Sequence, residues 1–281
     1  MLDTVFLVRK MVYFYPLEEN CVEPIENTLL SKIFNKICSI FCLPLPNYAI
    51  NDCVLKSKVV IFTDSSFNYS LYKKLKKDPN KKLILYYLNN ICDSNKELIN
   101  LFDSVYTFDK NDSKLYKIKY MHTPYTDKIK IESAKFKYDT LFLGRVKDRA
   151  DEILNLKNNL DELGLKNKFL VLGADMKSLK INSFLPYFEY IHLISESKCI
   201  VELNQKNQHG CSLRFMEALF FQKKLITNNV HITDDPYYDK KNMYIINHDD
   251  RNLEEFINIP YSSNDKNLDE LIFSNWLKNF I

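Results

Sequence analysis

Short runs of β-branched and apolar residues alternate with helix-length segments along almost the whole chain, and they do so in two successive arrays. In the first array the runs fall at residues 4–8 (TVFLV), 59–63 (VVIFT), 83–88 (LILYYL) and 104–108 (SVYTF). Helical patterns at 25–41 and 67–77 lie between them. In the second array the runs fall at 139–143, 168–172, 199–203, 224–227 and 243–246, with helical patterns at 149–163, 187–197 and 213–222. Strands of this length separated by helices predict βαβ units, and such units build parallel sheets covered on both faces. A polar stretch at about 121–137 separates the arrays. The expectation is an α/β chain of two Rossmann-like parallel-sheet domains: 1–130, 131–265, and a C-terminal helix over 266–281. That last segment carries the single tryptophan, Trp276, with apolar positions 268, 271, 272, 276, 277 and 280 on one stripe. The stripe suits a packing helix or, alternatively, an end that touches a membrane.

Composition narrows the class. The chain has 281 residues, 46% hydrophobic and 27% charged, which is enough to build well-formed cores. A net charge of +3 is too small to argue for nucleic acid, and none is expected as a partner. Seven scattered cysteines without a CxxC pair point to reduced thiols in the cytoplasm rather than to a zinc site. The first residues lack the basic region and unbroken apolar core of a signal peptide, and no run approaches the roughly 20 apolar residues of a spanning helix. No GxGxxG follows any predicted strand, which disfavours a dinucleotide-dependent oxidoreductase.

In open parallel sheets ligands bind beyond the carboxyl ends of the strands. There are only four glycines, and three of them, Gly144, Gly173 and Gly210, follow predicted strands of the second array. Each is either a close approach of backbone to ligand or a tight turn; Gly164 follows a helix and reads as its C-cap. Around Gly144 stand Arg145, Lys147 and Arg149, an electropositive strand tip, although Lys147 and Arg149 would also suit solvent. After the run CIVEL comes a loop containing Gln208, His209 and Gly210, then Ser212, which can cap a helix beginning at Leu213. The free N–H groups of that helix and the fork of Arg214 suit a diphosphate. Glu217 shares a helix face with Leu213 and Gly210. Its carboxylate is expected to lean back toward the loop and accept hydrogen bonds from a ribose diol, the alternative being an acid hidden by a local Lys or Arg pair. On this expectation Glu217→Ala loses most of the thermal stabilisation by a nucleotide-sugar while leaving the chain folded.

The run FLGR…R (142–149), LVLGA (170–174) and GCSLRFMEALFFQKKLITNN (210–229) resemble the donor lobe of GT-B-fold glycosyltransferases, notably bacterial enzymes of lipopolysaccharide-core, O-antigen and capsule assembly. Residues 105–125 and 187–203 are similar to the corresponding segments of that group. The resemblance implies two Rossmann-like domains facing across a cleft. It implies a nucleotide-sugar donor in the second domain and a glycan or lipid-linked acceptor in the first. Glu217 would meet the donor ribose, Arg145 and Arg149 the diphosphate, Ser212, Leu213 and Arg214 the phosphate cradle, and Leu185, Pro186 and Tyr187 the base. The C-terminal helix would cross back to the first domain. Many retaining members carry E-x7-E; here the first position is His209, so the retaining pattern is not met. A catalytically inactive GT-B-like nucleotide-binding or partner protein is the alternative function.

No DxD pair ends a strand, so metal-independent transfer with no cofactor is expected, fixed cations stabilising the leaving diphosphate. A general base for the acceptor is expected in the first domain. Asp64, directly after VVIFT, is the first candidate, although a turn or cap role fits it as well; Asp93 and His122 are weaker. The basic, aromatic-laced stretch 72–87 suits either peripheral contact with an anionic membrane at its inner face or a solvated helix face followed by a buried strand.

Overall fold

The computed structural model describes residues 2–132, 134–173, 179–181, 183–263 and 266–281. The chain divides into two compact units, Met1–His122 with Phe273–Ile281, and Thr123–Ile272. These boundaries fall at 122/123 and 272/273, where the sequence led us to place them at 130/131 and 265/266. The fold class is as expected: each unit is built on a parallel sheet, with six strands in each among the described residues.

In the first unit the strands are β1 (Thr4–Leu7), β2 (Cys21–Val22), β3 (Val59–Thr63), β4 (Lys82–Tyr87), β5 (Ser104–Thr107) and β6 (Lys119–Tyr120), in the order β2-β1-β3-β4-β5-β6. Every pairing is parallel, Val60 facing Leu83 and Ile84 facing Ser104. Helices α1 (Leu29–Ile40), α2 (Asp52–Lys56), α3 (Tyr69–Leu75) and α4 (Lys110–Tyr116) connect them. All five residues of β3 are buried, as a strand covered on both faces requires. Side-chain caps fix the helix starts: Thr28 accepts from the Ser31 N–H, Asn68 from Leu71 and Asp109 from Asn111 and Asp112. Val5, Val60, Phe62, Leu71 and Leu85 form the centre of the core.

The C-terminal segment is not one continuous helix. It forms short turns at Asp269–Leu271, Phe273–Trp276 and Leu277–Phe280. Trp276 is nonetheless fully enclosed in the first unit. Its ring lies 5.0 Å from Tyr86 and 5.7 Å from Phe6, and its Nε1 donates to the His122 carbonyl at 2.8 Å.

In the second unit the strands are β7 (Tyr138–Arg145), β8 (Asn167–Leu172), β9 (Lys180–Ile181), β10 (Ser197–Glu202), β11 (Lys224–Thr227) and β12 (Met243–Ile245), again all parallel, in the order β12-β11-β10-β7-β8-β9. Helices α5 (Ala150–Glu162), α6 (Tyr187–Ser195), α7 (Leu213–Phe220) and α8 (Leu253–Asn258) accompany them. Its core gathers Ile153, Leu160, Val171, Cys199 and Ile226. None of the seven cysteines is in a disulfide. No helix among the described residues is long and apolar enough to cross a membrane.

Candidate functional site

The topology of the second sheet marks one place on its carboxyl edge. The chain steps from β7 outward through β8 to β9, then returns to lay β10 on the other side of β7. Connections therefore leave β7 and β10 in opposite directions, and a crevice opens at their carboxyl ends. Arg145 ends β7, and the loop holding Gln208, His209 and Gly210 follows β10, so both stand on this edge.

At the β7 tip the backbone is tightly folded. A Cβ on Gly144 would stand 3.0 Å from the Phe142 ring. Lys147 takes a positive φ of 47°, which turns the chain into α5. Arg149 ties the two strand tips together: its guanidinium donates to the Leu203 carbonyl beyond β10 and to the Arg145 carbonyl of β7, while its Nε is buried without a hydrogen-bond partner. Arg145 and Lys147 are exposed. The Lys147 ammonium is pushed below its ordinary range by partial burial first and then by the neighbouring Arg149, with Arg145 adding to it and Asp148 opposing. Lys147 thus feels both arginines, and the β7 tip is electropositive. Gly173, with φ of 94°, follows Leu172, which pairs with Arg145, and so stands at the adjacent tip. Residues 174–178 lie outside the described residues.

The start of α7 differs from expectation. Ser212 does cap the helix, accepting from the Arg214 N–H at 3.1 Å. Its own N–H and hydroxyl, however, both go to Oε1 of Glu202, at 3.1 and 2.5 Å. Glu202 is buried at the end of β10, and its other oxygen accepts from Thr227 at 2.8 Å. Burial raises this carboxyl, and the hydrogen bonds from Ser212 and Thr227 oppose the rise. An internal acid therefore fills the anion-attracting position at the helix start, where a ligand phosphate was expected at Ser212 and Leu213. An acid closing an otherwise apolar strand was visible in CIVEL; it is the functional-looking residue that the sequence reading passed over. The loop between is pinned as well: Asn204 Nδ2 donates to the carbonyls of Gln208 and Gly210, and Asn229 Nδ2 to that of His209. The His209 and His231 rings lie 4.0 Å apart.

Glu217 has no exposed surface. Tyr187 donates to its Oε1 at 2.7 Å and Tyr190 to its Oε2 at 3.1 Å, while Arg214 Nη1 bonds both oxygens, at 3.2 and 2.9 Å. Tyr125 extends the network through the Tyr187 hydroxyl at 2.7 Å. Arg214 stacks over the Tyr190 ring at 4.4 Å and reaches the Leu143 carbonyl at 3.3 Å. Burial raises the Glu217 carboxyl despite the facing guanidinium and phenols. This is the alternative of an acid hidden by a local arginine; a ribose diol reaches Glu217 only if Tyr187 or Arg214 moves away. Tyr187, expected beside a base, is itself buried with its hydroxyl on Glu217, whereas Leu185 is half-buried and Pro186 exposed just before α6.

Asp64 lies at the matching point of the first sheet, where β2 and β3 flank β1 on opposite sides. It is half-buried and begins a turn capped by Thr63. Its Oδ1 accepts from the Leu88 N–H at 2.7 Å and its Oδ2 from Asn89 Nδ2 at 2.8 Å. Burial pushes its carboxyl up, and those bonds oppose it. Asp93 is exposed and paired with Lys96; the His122 ring meets the Tyr120 hydroxyl. Both DD pairs belong to folded loops: Asp235 accepts from the Tyr237 N–H, and Asp249 pairs with Arg251. Among the described residues no three His, Cys, Asp or Glu side chains gather as a metal site.

No family model matches this chain, and no curated protein matches it. Among solved structures it is similar to an alpha-glucosyltransferase in complex with UDP and a 13-mer DNA containing a central A:G mismatch. The identity is 13%, over 81% of this chain and 70% of that one, with a TM-score of 0.43. A likeness at this level assigns neither family nor activity.

Proposed function

We propose that the chain is a glycosyltransferase whose second unit holds the diphosphate of a nucleotide-sugar donor at the β7/β10 crevice. One observation carries the reading: the switch point of a parallel sheet is ringed by Arg145, Lys147 and Arg149, two of them exposed. A crevice at strand ends favours a ligand there, and the cations Arg145 and Lys147, exposed beside Arg149, favour an anionic one. The same cations would stabilise the charge that develops on a departing nucleoside diphosphate, so transfer without a metal is part of the proposal. Gln208 and His209 stand in the loop across the crevice, and the acceptor is a cell-surface glycan or glycolipid of the lipopolysaccharide or capsule kind. Asp64 is the proposed base, since a carboxylate whose affinity for protons is raised by burial is the better proton acceptor.

Glu217 takes a different part in this proposal from the one its position in the sequence gave it. It fixes Arg214 and the two tyrosines, and so positions the wall behind the crevice rather than meeting the pentose. The test is thermal shift with UDP-, GDP-, CMP- and dTDP-sugars. At least one should stabilise the protein, and Arg145→Ala with Lys147→Ala should weaken that ligand about tenfold or more. No shift with any of them removes the proposal. A shift without donor hydrolysis or transfer leaves a nucleotide-binding protein that is not an enzyme.

A further inference from the structure

Helix α1 is turned inside out. The side that rests on the first unit is its small and polar one: Ser31 and Cys38 are buried, and Asn35 between them accepts from Asn68 Nδ2 at 2.7 Å. Ser31 in turn meets Thr28 at 2.7 Å and the Tyr48 carbonyl at 3.4 Å. The opposite side carries Leu29, Leu30, Ile33, Ile37 and Ile40, continued by Phe41, all exposed; Leu29 is 75% exposed, Ile40 66% and Phe41 68%. At 3.6 residues per turn these side chains fill an arc of roughly 120°, on a helix about 18 Å long. A contiguous apolar face of this kind marks a surface that meets something else.

The charges beside the face say what it meets. Lys32 and Lys36 border one edge of the arc, and no acid lies on α1. The neighbouring α3 is tied to α1 through its cap Asn68, and to the turn just after α1 through Lys73, whose Nζ donates to the Cys42 carbonyl at 2.9 Å. It adds Lys74 and is followed by Lys77, with no acid over 69–77, while Lys76 pairs with Asp103 at 3.5 Å. In a symmetric dimer across this face, the same patch would meet itself and lysines would oppose lysines around an apolar centre. An anionic bilayer surface accepts both features at once: aliphatic and aromatic side chains enter the headgroup–acyl boundary, while the ammonium groups meet lipid phosphates.

We infer that α1 is an interfacial helix that seats the first unit on an anionic lipid surface, with the lysines of α3 at its flank. The inference stands apart from the donor reading: a chain that binds vesicles but no nucleotide-sugar keeps the lipid surface and loses the transferase proposal.

The test is co-sedimentation of the full chain with vesicles of equal parts phosphatidylcholine and phosphatidylglycerol, beside vesicles of phosphatidylcholine alone. The anionic vesicles should carry the protein down, and added salt should weaken the binding. Ile33→Glu with Ile37→Glu places charge in the middle of the exposed face, at side chains 44% and 40% exposed. The variant should stay folded by circular dichroism and lose sedimentation. Lys32→Ala with Lys36→Ala should lower affinity for the anionic vesicles about thirtyfold. Failure to bind anionic vesicles overturns the inference, and so does binding that the Ile33/Ile37 variant leaves intact. A dimer seen by light scattering that this variant disperses, without vesicle binding, overturns it in favour of a second copy.

Discussion

Tyr187 closes off Glu217: its hydroxyl lies 2.7 Å from Oε1, and with Tyr190 and Arg214 it leaves the carboxylate no face to solvent. Breaking a buried ion pair on one side leaves the other charge uncompensated. Glu217→Gln should therefore cost about 3–5 kcal/mol of folding stability, measured by urea denaturation. The expectation that Glu217 can be removed while the fold stays intact is replaced by this one. A variant as stable as the wild type would show that the acid is not the anchor of this network.

Asp64→Asn separates a structural from a chemical role. The amide can keep the bond from the Leu88 N–H but sets its NH2 against that of Asn89, a loss of about 1 kcal/mol. If Asp64 is the base, kcat for transfer should fall by about 10²–10⁴, far beyond the stability effect. Near-normal turnover with a small stability change would leave Asp64 as a tie between the ends of β3 and β4.

Lys223 should make stability depend on pH in the alkaline range. Its Nζ donates to the carbonyls of Ser195 and Ser197, and burial pushes its ammonium down from 10.5 to about 8. Between those values the unfolded chain holds the proton that the folded chain has released, so the cost of burying this ammonium is lifted as pH rises and stability increases. Cys199, pushed up to about 12 by burial, acts with the opposite sign above about 9. Comparison with Lys223→Met isolates the lysine. The difference in melting temperature, wild type minus variant, should grow in the wild type's favour between pH 8 and pH 10.5. A constant difference would show that the ammonium keeps its ordinary affinity.

Trp276 ties the chain end to the first sheet. Trp276→Ala removes ring contacts with Phe6, Tyr86 and Phe280 and the bond to the His122 carbonyl. A loss of about 3–5 kcal/mol is expected. Hydrogen exchange should report it as faster exchange in β1 and β4. Unchanged protection there would mean that the segment contributes little to that core.

Much of the architecture was legible because burial on both faces writes itself into a strand. Residues 59–63 and 224–227 coincide with β3 and β11, where every residue is buried. β2, β6 and β9 were not seen, because two residues are too few to show a period. The continuous C-terminal helix expected from its stripe is broken into short turns, yet Leu271, Trp276, Leu277 and Phe280 of that stripe are buried. At the candidate site, Arg145 and the Gly210 loop were rightly placed on one edge of the sheet. The partners of Ser212 and Glu217 were not legible, since Glu202, Tyr187 and Tyr190 come from other elements of the chain.

By itself the sequence determined where the longer strands and the main helices fall, that the sheets are parallel, and which cations stand at the strand tips. These depend on local periodicity and on short connections, which neighbouring residues fix. Tertiary structure alone decided that β10 returns beside β7 to open the crevice, that Glu202 and Glu217 face inward, and that the apolar side of α1 faces outward. A periodic pattern says that a helix has two faces; which of them is covered depends on what residues far along the chain bring against it.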